Sequence, residues 1–220
     1  MTQTKVAHMA RAFLGVAWAV GLGLTATAAH AAEYKLDKAK SLLVVRTFKD
    51  GMGARLAHNH VIQARDSSGT ISFDADNPDT ASIKVTIVVA SLHVDDLALR
   101  KRFGESSEPS ESDKADITKN MLDEDQLYAE KFPTMGFVSN GITKTGDGKF
   151  TVKGNLTIRG VTKPVTFPVT VEVKDGVFRG KGEVGIKASQ FGFKPYSALL
   201  GAVRNKDDMT LVLDLVAASK

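Results

Sequence analysis

The stretch from Lys149 to Lys187, KFTVKGNLTIRGVTKPVTFPVTVEVKDGVFRGKGEVGIK, decides the fold class. Its apolar residues recur every second position. Phe150, Val152, Gly154, Leu156 and Ile158 alternate with Thr151, Lys153, Asn155, Thr157 and Arg159. Val165, Phe167, Val169, Val171 and Val173 alternate with Thr166, Pro168, Thr170, Glu172 and Lys174. A third segment sets Phe178, Gly180, Gly182, Val184 and Ile186 against Arg179, Lys181, Glu183 and Lys187. A period of two puts alternate side chains on opposite faces of a strand, so each segment has one apolar and one wet face. That pattern belongs to antiparallel sheet. Asp175-Gly176 and Arg159-Gly160 supply the tight turns between the segments, glycine taking the positive φ that such hairpins need.

The rhythm extends outward. Ile83, Val85 and Ile87 alternate with Lys84 and Thr86, and Leu211, Leu213 and Leu215 repeat the habit near the end. A long meander with one apolar face must close on itself or pack to bury that face. The expected fold is all-β: an antiparallel, up-and-down barrel of eight or nine strands, a number that leaves room for one small ligand. Residues 95–131 interrupt the alternation and predict a short helical insertion. Within it, Gly104–Ser112 (GESSEPSES) is polar and reads as mobile. Asp113–Glu130 reads as a helix with Asp113 as its N-cap, and Leu97–Phe103 as a further helical turn.

Residues 1–31 read as a secretory signal. Lys5 and Arg11 form the basic start, Ala12–Leu24 the apolar run, and Ala29-His30-Ala31 the small-x-small cleavage site, with cleavage after Ala31. The run is shorter than the roughly 20 residues a membrane helix needs. Removing the two basic groups of residues 1–31 lowers the net charge from +4 to +2, which gives no case for nucleic-acid binding. The chain has no cysteine, excluding disulfides, thiol catalysis and cysteine metal sites. Residues 32–220 are therefore expected to be one periplasmic barrel domain without a transmembrane segment.

The inward positions predicted to line a ligand are Ile83, Val85, Ile87 and Phe137, then Phe150, Val152 and Leu156, then Val165, Phe167, Val169 and Phe178. Such a lining suits an apolar guest, each buried methylene contributing about 0.8 kcal/mol. Inner-face Gly154, Gly180 and Gly182 read either as points of curvature or as unfilled volume.

Several ordered blocks carry a family resemblance: Tyr34-Lys35-Leu36-Asp37, Ser68 to Asp74 (SGTISFD), Lys131 to Phe137 (KFPTMGF), Gly154 to Val165 (GNLTIRGVTKPV) and Gln190 to Phe193 (QFGF). In these the chain resembles the YceI-like proteins, across nearly all of residues 32–220. The resemblance implies an exported, lipocalin-like barrel that binds a polyisoprenoid lipid, with a quinone or phosphate-bearing head near the mouth. It implies a carrier rather than an enzyme and no cofactor beyond the bound lipid, and it allows transient contact with a membrane or partner protein. The chain departs from the commoner pattern at Leu56 to Val61 (LAHNHV), around Gly104–Ser112 and at Pro195 to Arg204 (PYSALLGAVR).

His58 and His60 lie two apart on a predicted strand and face one way, inward or at the mouth. Three readings stay open: a hydrogen-bonded structural pair, a contact to a ligand head group, or a metal site completed by His93, Asp95 or Asp96. Arg100 and Arg204 head two basic groups, Arg100-Lys101-Arg102 and Lys194/Arg204/Lys206, that would hold a diphosphate if the fold brought them together. No nucleophile elbow, phosphate loop or zinc-protease helix is present. Two readings from other classes accompany the carrier: a metal- or redox-linked enzyme using His58 and His60, and an interaction module using residues 104–130.

Overall fold

The computed structural model describes residues 31–219. All but the last residue of the segment read as a signal lies outside the described residues. Twelve strands form one sheet: β1 (Ala32–Leu36), β2 (Leu42–Asp50), β3 (His60–Ala64), β4 (Ser67–Phe73), β5 (Ser82–Val88), β6 (Leu92–Val94), β7 (Thr134–Gly146), β8 (Lys149–Ile158), β9 (Val161–Lys174), β10 (Val177–Lys187), β11 (Ser197–Ala198) and β12 (Val203–Ser219). Helix α1 spans Leu97–Arg102 and α2 spans Glu111–Leu122. No helix among the described residues is long and apolar enough to cross a membrane.

Eleven of the twelve strands make an eight-stranded, closed, antiparallel barrel, and the short β11 pairs with β12 outside that ring. The first three walls are each broken once: β1 runs on into β2, β3 into β4, and β5 into β6. β12 closes the ring by pairing with β10 on one edge, and with β1 and then β2 on the other. Polar side chains join the breaks. The Asp37 carboxylate accepts from Ala39 N at 3.1 Å, an Asx turn. Ser41 Oγ accepts from Val216 N and donates to Val216 O, patching the ladder. Lys38 Nζ reaches Asp66 at 2.8 Å, and Asp66 N donates to Ser91 Oγ. Local turn chemistry interrupts the strands without opening the sheet.

Below the breaks the barrel is closed by packed aromatic rings. Phe73 meets the rings of Phe150 and Phe178 edge-on at 5.3 and 5.4 Å, and Tyr34 lies 5.7 Å from Phe178. Above the breaks β6 pairs, among the described residues, with β3 alone. The insertion covers this side, with Ile117, Met121 and Leu122 of α2 packed on the core.

Two details of the insertion differ from expectation. The N-cap is Ser110, not Asp113. Ser110 Oγ accepts from Asp113 N while the Asp113 carboxylate accepts from Ser110 N, a reciprocal box. The helix ends at Leu122 because the chain then turns back, with Tyr128 at φ 49°. The segment from Gly104 is also tethered: Glu105 N donates to Arg100 O, Pro109 is buried, and Lys114 pairs with Glu108.

Candidate functional site

The upper half of the barrel encloses a cavity of about 520 Å³, within the range of about 300–1,000 Å³ typical of small-molecule sites. Leu43 and Val45 of β2, Ile62 of β3, and Leu211 and Leu213 of β12 line its walls. Ile117 and Met121 of α2 complete it on the open side. A second pocket of about 70 Å³ lies deeper. The two share Leu43, Phe137, Leu156, Leu211 and Leu213, which form a waist between them.

Eight of the eleven predicted lining residues belong to the main core cluster and Ile87, Phe137 and Val165 pack against it, but they occupy three zones. Ile87, Phe137 and Leu156 face the large cavity. Ile83, Val85, Val165, Phe167, Val169 and Phe178, again with Phe137 and Leu156, surround the deep pocket. Phe150 and Val152 line neither, being packed at the closed end. Alternation told which way a side chain points but not how high it sits. Two inner-face glycines gain a physical reason. A Cβ on Gly154 would stand 2.3 Å from Phe137 Cζ, so this glycine admits the Phe137 ring. A Cβ on Gly182 would come within 2.8 Å of Pro168 O and enter the deep pocket's wall.

The polar side of the cavity is built on β2, β3 and the insertion. Met209, Thr47 and His60 sit side by side across β12, β2 and β3, and all three line the cavity. Thr47 Oγ1 is buried without a hydrogen-bond partner, a state that costs roughly 1–3 kcal/mol unless a bound group or water relieves it. Its signal in the sequence is weak, a lone threonine between Arg46 and Phe48. His60 Nδ1 lies 2.7 Å from Asp95 Oδ2. Burial raises the Asp95 pKa, but hydrogen bonds from His60, Val61 and Arg100 outweigh it and the net shift is down. The carboxylate can only accept, so the proton of that contact sits on His60 Nδ1, leaving Nε2 as the ring nitrogen free for the cavity.

Arg100 is not at the mouth. It is 0% exposed and its Nη1 donates to Asp95 Oδ1 and to Asn59 O, both at 2.7 Å. Its Nε and Nη2 donate to Ser107 O. The first turn of α1 aims the guanidinium inward at Asp95, away from the head-group role expected for it. Arg102 instead faces Asp214, 3.7 Å away. Arg100 and Arg204 are therefore not brought together. Arg204 lines the cavity rim, where its Nε donates to Asp50 at 2.9 Å.

His58 lines the cavity and contacts Ser107 Oγ through Nδ1 at 3.0 Å. Burial, then the positive surroundings of His60, Arg100 and Lys49, lower its pKa and favour the neutral ring. The candidate metal partners are dispersed. His93 stands opposite Gln63, Asp96 caps α1, and Asp95 is committed to His60 and Arg100. Among the described residues no group of three or more such side chains could hold a metal ion.

A closed antiparallel barrel with an apolar cavity and a few polar wall groups defines a small-molecule-binding barrel. More particularly, the chain belongs to the YceI-like family, whose domain profile matches residues 34–217. A UPF0312 protein of Pseudomonas fluorescens is 33% identical over 179 residues, covering 80% of this chain and 78% of the relative. One of Azotobacter vinelandii is 31% identical over 177 residues, covering 78% and 81%. Among solved structures, BcnA of Burkholderia cenocepacia aligns with TM-score 0.63 at 23% identity, over 83% of this chain and 99% of that one. The Campylobacter jejuni YceI protein aligns with TM-score 0.55 at 23% identity, over 72% and 84%. At that identity the likeness speaks for the fold.

Proposed function

We propose that this protein is an exported, non-catalytic carrier that holds an isoprenoid-type lipid in its barrel. The observation that carries the reading is the large cavity, walled by aliphatic side chains and interrupted by the polar pair Thr47 and His60. A hydrocarbon tail gains burial along the walls, while one hydroxyl and one ring nitrogen suffice to orient a carbonyl or hydroxyl head. An isoprenoid quinone fits better than a polyprenyl phosphate. Arg100 is spent on Asp95, and Arg204 is paired with Asp50. Export is supported by the signal-like pattern of residues 1–31, and cleavage after Ala31 would leave every strand of the barrel intact.

The experiment is native mass spectrometry on protein purified from the periplasm, followed by extraction and identification of any bound lipid. A stoichiometric isoprenoid quinone is the expected result. Protein that arrives empty, and also fails to take up a quinone or polyprenyl phosphate from detergent micelles, would refute the reading.

A further inference from the structure

We infer that the protein docks mouth-first on an anionic lipid bilayer through two neighbouring loops. Large hydrophobic side chains are exposed together at this end. Met52 is 96% exposed, Leu200 109%, and Leu56, Leu199 and Tyr196 also face solvent. The two loops are one surface. Gly53 N of the first loop donates to Ala202 O of the second at 2.8 Å, and Asn205 N closes the second loop on itself by donating to Tyr196 O at 2.9 Å. Leu56, Tyr196 and Ala198 also line the cavity, so the patch is continuous with its entrance.

The backbone displays the leucines at an energetic penalty. Leu199 and Leu200 both hold positive φ, 49° and 54°. That region is disfavoured for branched side chains and free for glycine or asparagine. Two consecutive leucines, strained and turned outward, have no stabilising role in the barrel, and such strain is found at functional surfaces. Apolar tips that enter the acyl boundary give them one.

Charge selects the kind of surface. Arg55, Lys194 and Lys206 lie on or beside these loops, and none makes an ion pair among the described residues. Arg204 adds a fourth basic side chain at the cavity rim, where it is paired with Asp50. An anionic bilayer attracts these basic side chains and brings the apolar loop tips to its surface. Apolar contact combined with basic residues is the pattern of reversible interfacial binding. The transfer of a lipid between bilayer and barrel rests on the carrier reading; the docking does not.

Co-sedimentation with vesicles tests it, using phosphatidylcholine alone and phosphatidylcholine mixed with phosphatidylglycerol. The protein is expected to bind the mixed vesicles and to release as salt screens the charges. L199N/L200N is expected to lower partitioning about tenfold per leucine, while its melting temperature stays level or rises because asparagine accepts positive φ. Arg55→Gln, Lys194→Gln and Lys206→Gln together are expected to weaken binding by about fivefold per charge. Binding that survives in L199N/L200N would overturn the inference. So would absent vesicle binding combined with a dimer, seen by sedimentation velocity, that L199N/L200N dissolves, since the patch would then serve a second copy. Quinone uptake from micelles without vesicle binding refutes docking alone. Vesicle binding by a barrel that takes up no lipid upholds docking and refutes the carrier.

Discussion

Asp95→Asn is the sharpest probe of how this barrel holds its mouth. The carboxylate accepts from Val61 N at 2.8 Å, from Arg100 Nη1 at 2.7 Å and from His60 Nδ1 at 2.7 Å, and both Asp95 and Arg100 are 0% exposed. Asparagine tolerates the φ of 55° at this position and nearly preserves its shape, so the change isolates the charge. It leaves the Arg100 cation buried among neutral acceptors alone, Asn59 O, Ser107 O and the new amide oxygen. Breaking a buried pair this way costs about 3–5 kcal/mol, and an amide that retains some hydrogen bonding sits at the low end, about 3 kcal/mol. For a domain of this size each kcal/mol shifts the melting temperature by about 2–4 °C, so a fall of roughly 6–12 °C is expected. Thermal and urea unfolding measure it. Because the partners are coupled, D95N/R100M is expected to lose at least 1 kcal/mol less than the two single changes added together. A change of under about 2 °C, or single changes that add without coupling, would refute the claim that this pair anchors the insertion. If R100M kept full stability yet lost affinity for a phosphate-bearing lipid, Arg100 would be a head-group ligand after all.

Phe137→Ala removes the ring at the waist and joins the two cavities. It is expected to cost roughly 2–4 kcal/mol and to shift bound lipids toward longer tails by native mass spectrometry; an unchanged tail distribution would contradict the role of the waist. Thr47→Val replaces the orphaned hydroxyl by a methyl. The empty protein is expected to gain up to about 1 kcal/mol in urea while quinone affinity falls severalfold, a pair of opposite changes that calorimetry and titration can read. Stability is expected to fall with acid in two ranges. His58 and His93 have folded pKa values lowered chiefly by burial, so their contribution is complete above the unfolded value of about 6.5 and is lost as pH falls below it. Asp95, also lowered, contributes fully above about 3.9 and is lost below that value. Unfolding across pH, with His58→Gln flattening the first range, checks the sign.

The barrel was legible because its information is local and repeated. Strict alternation from Phe150 to Ile186 gives each strand a single buried face, and Asp175-Gly176 and Arg159-Gly160 fix the hairpins between them. The insertion was legible in place but not in detail. Asp113 looked like a cap because it precedes an apolar spacing, whereas the backbone turns one residue before Glu111 and uses Asp113 as the third helical residue.

The site divides along the same line. Parity directs His60 and the eleven apolar side chains inward, since a strand has only two faces, whereas His58 precedes β3 and its expected place on that strand is not met; it reaches the cavity from the loop, beside Ser107. Height along the barrel is a property of register between distant strands. Only the closed ring separates Phe150 and Val152, packed at the closed end, from Ile87 and Leu156 at the cavity. The same holds for charge. An arginine's sequence neighbours reveal nothing of its partner, and Arg100 is turned from rim to interior by a carboxylate five residues away that a strand end holds in place. Side-chain direction in this protein is set by local backbone period, whereas depth, pairing and free volume are set by contacts between residues far apart in the chain.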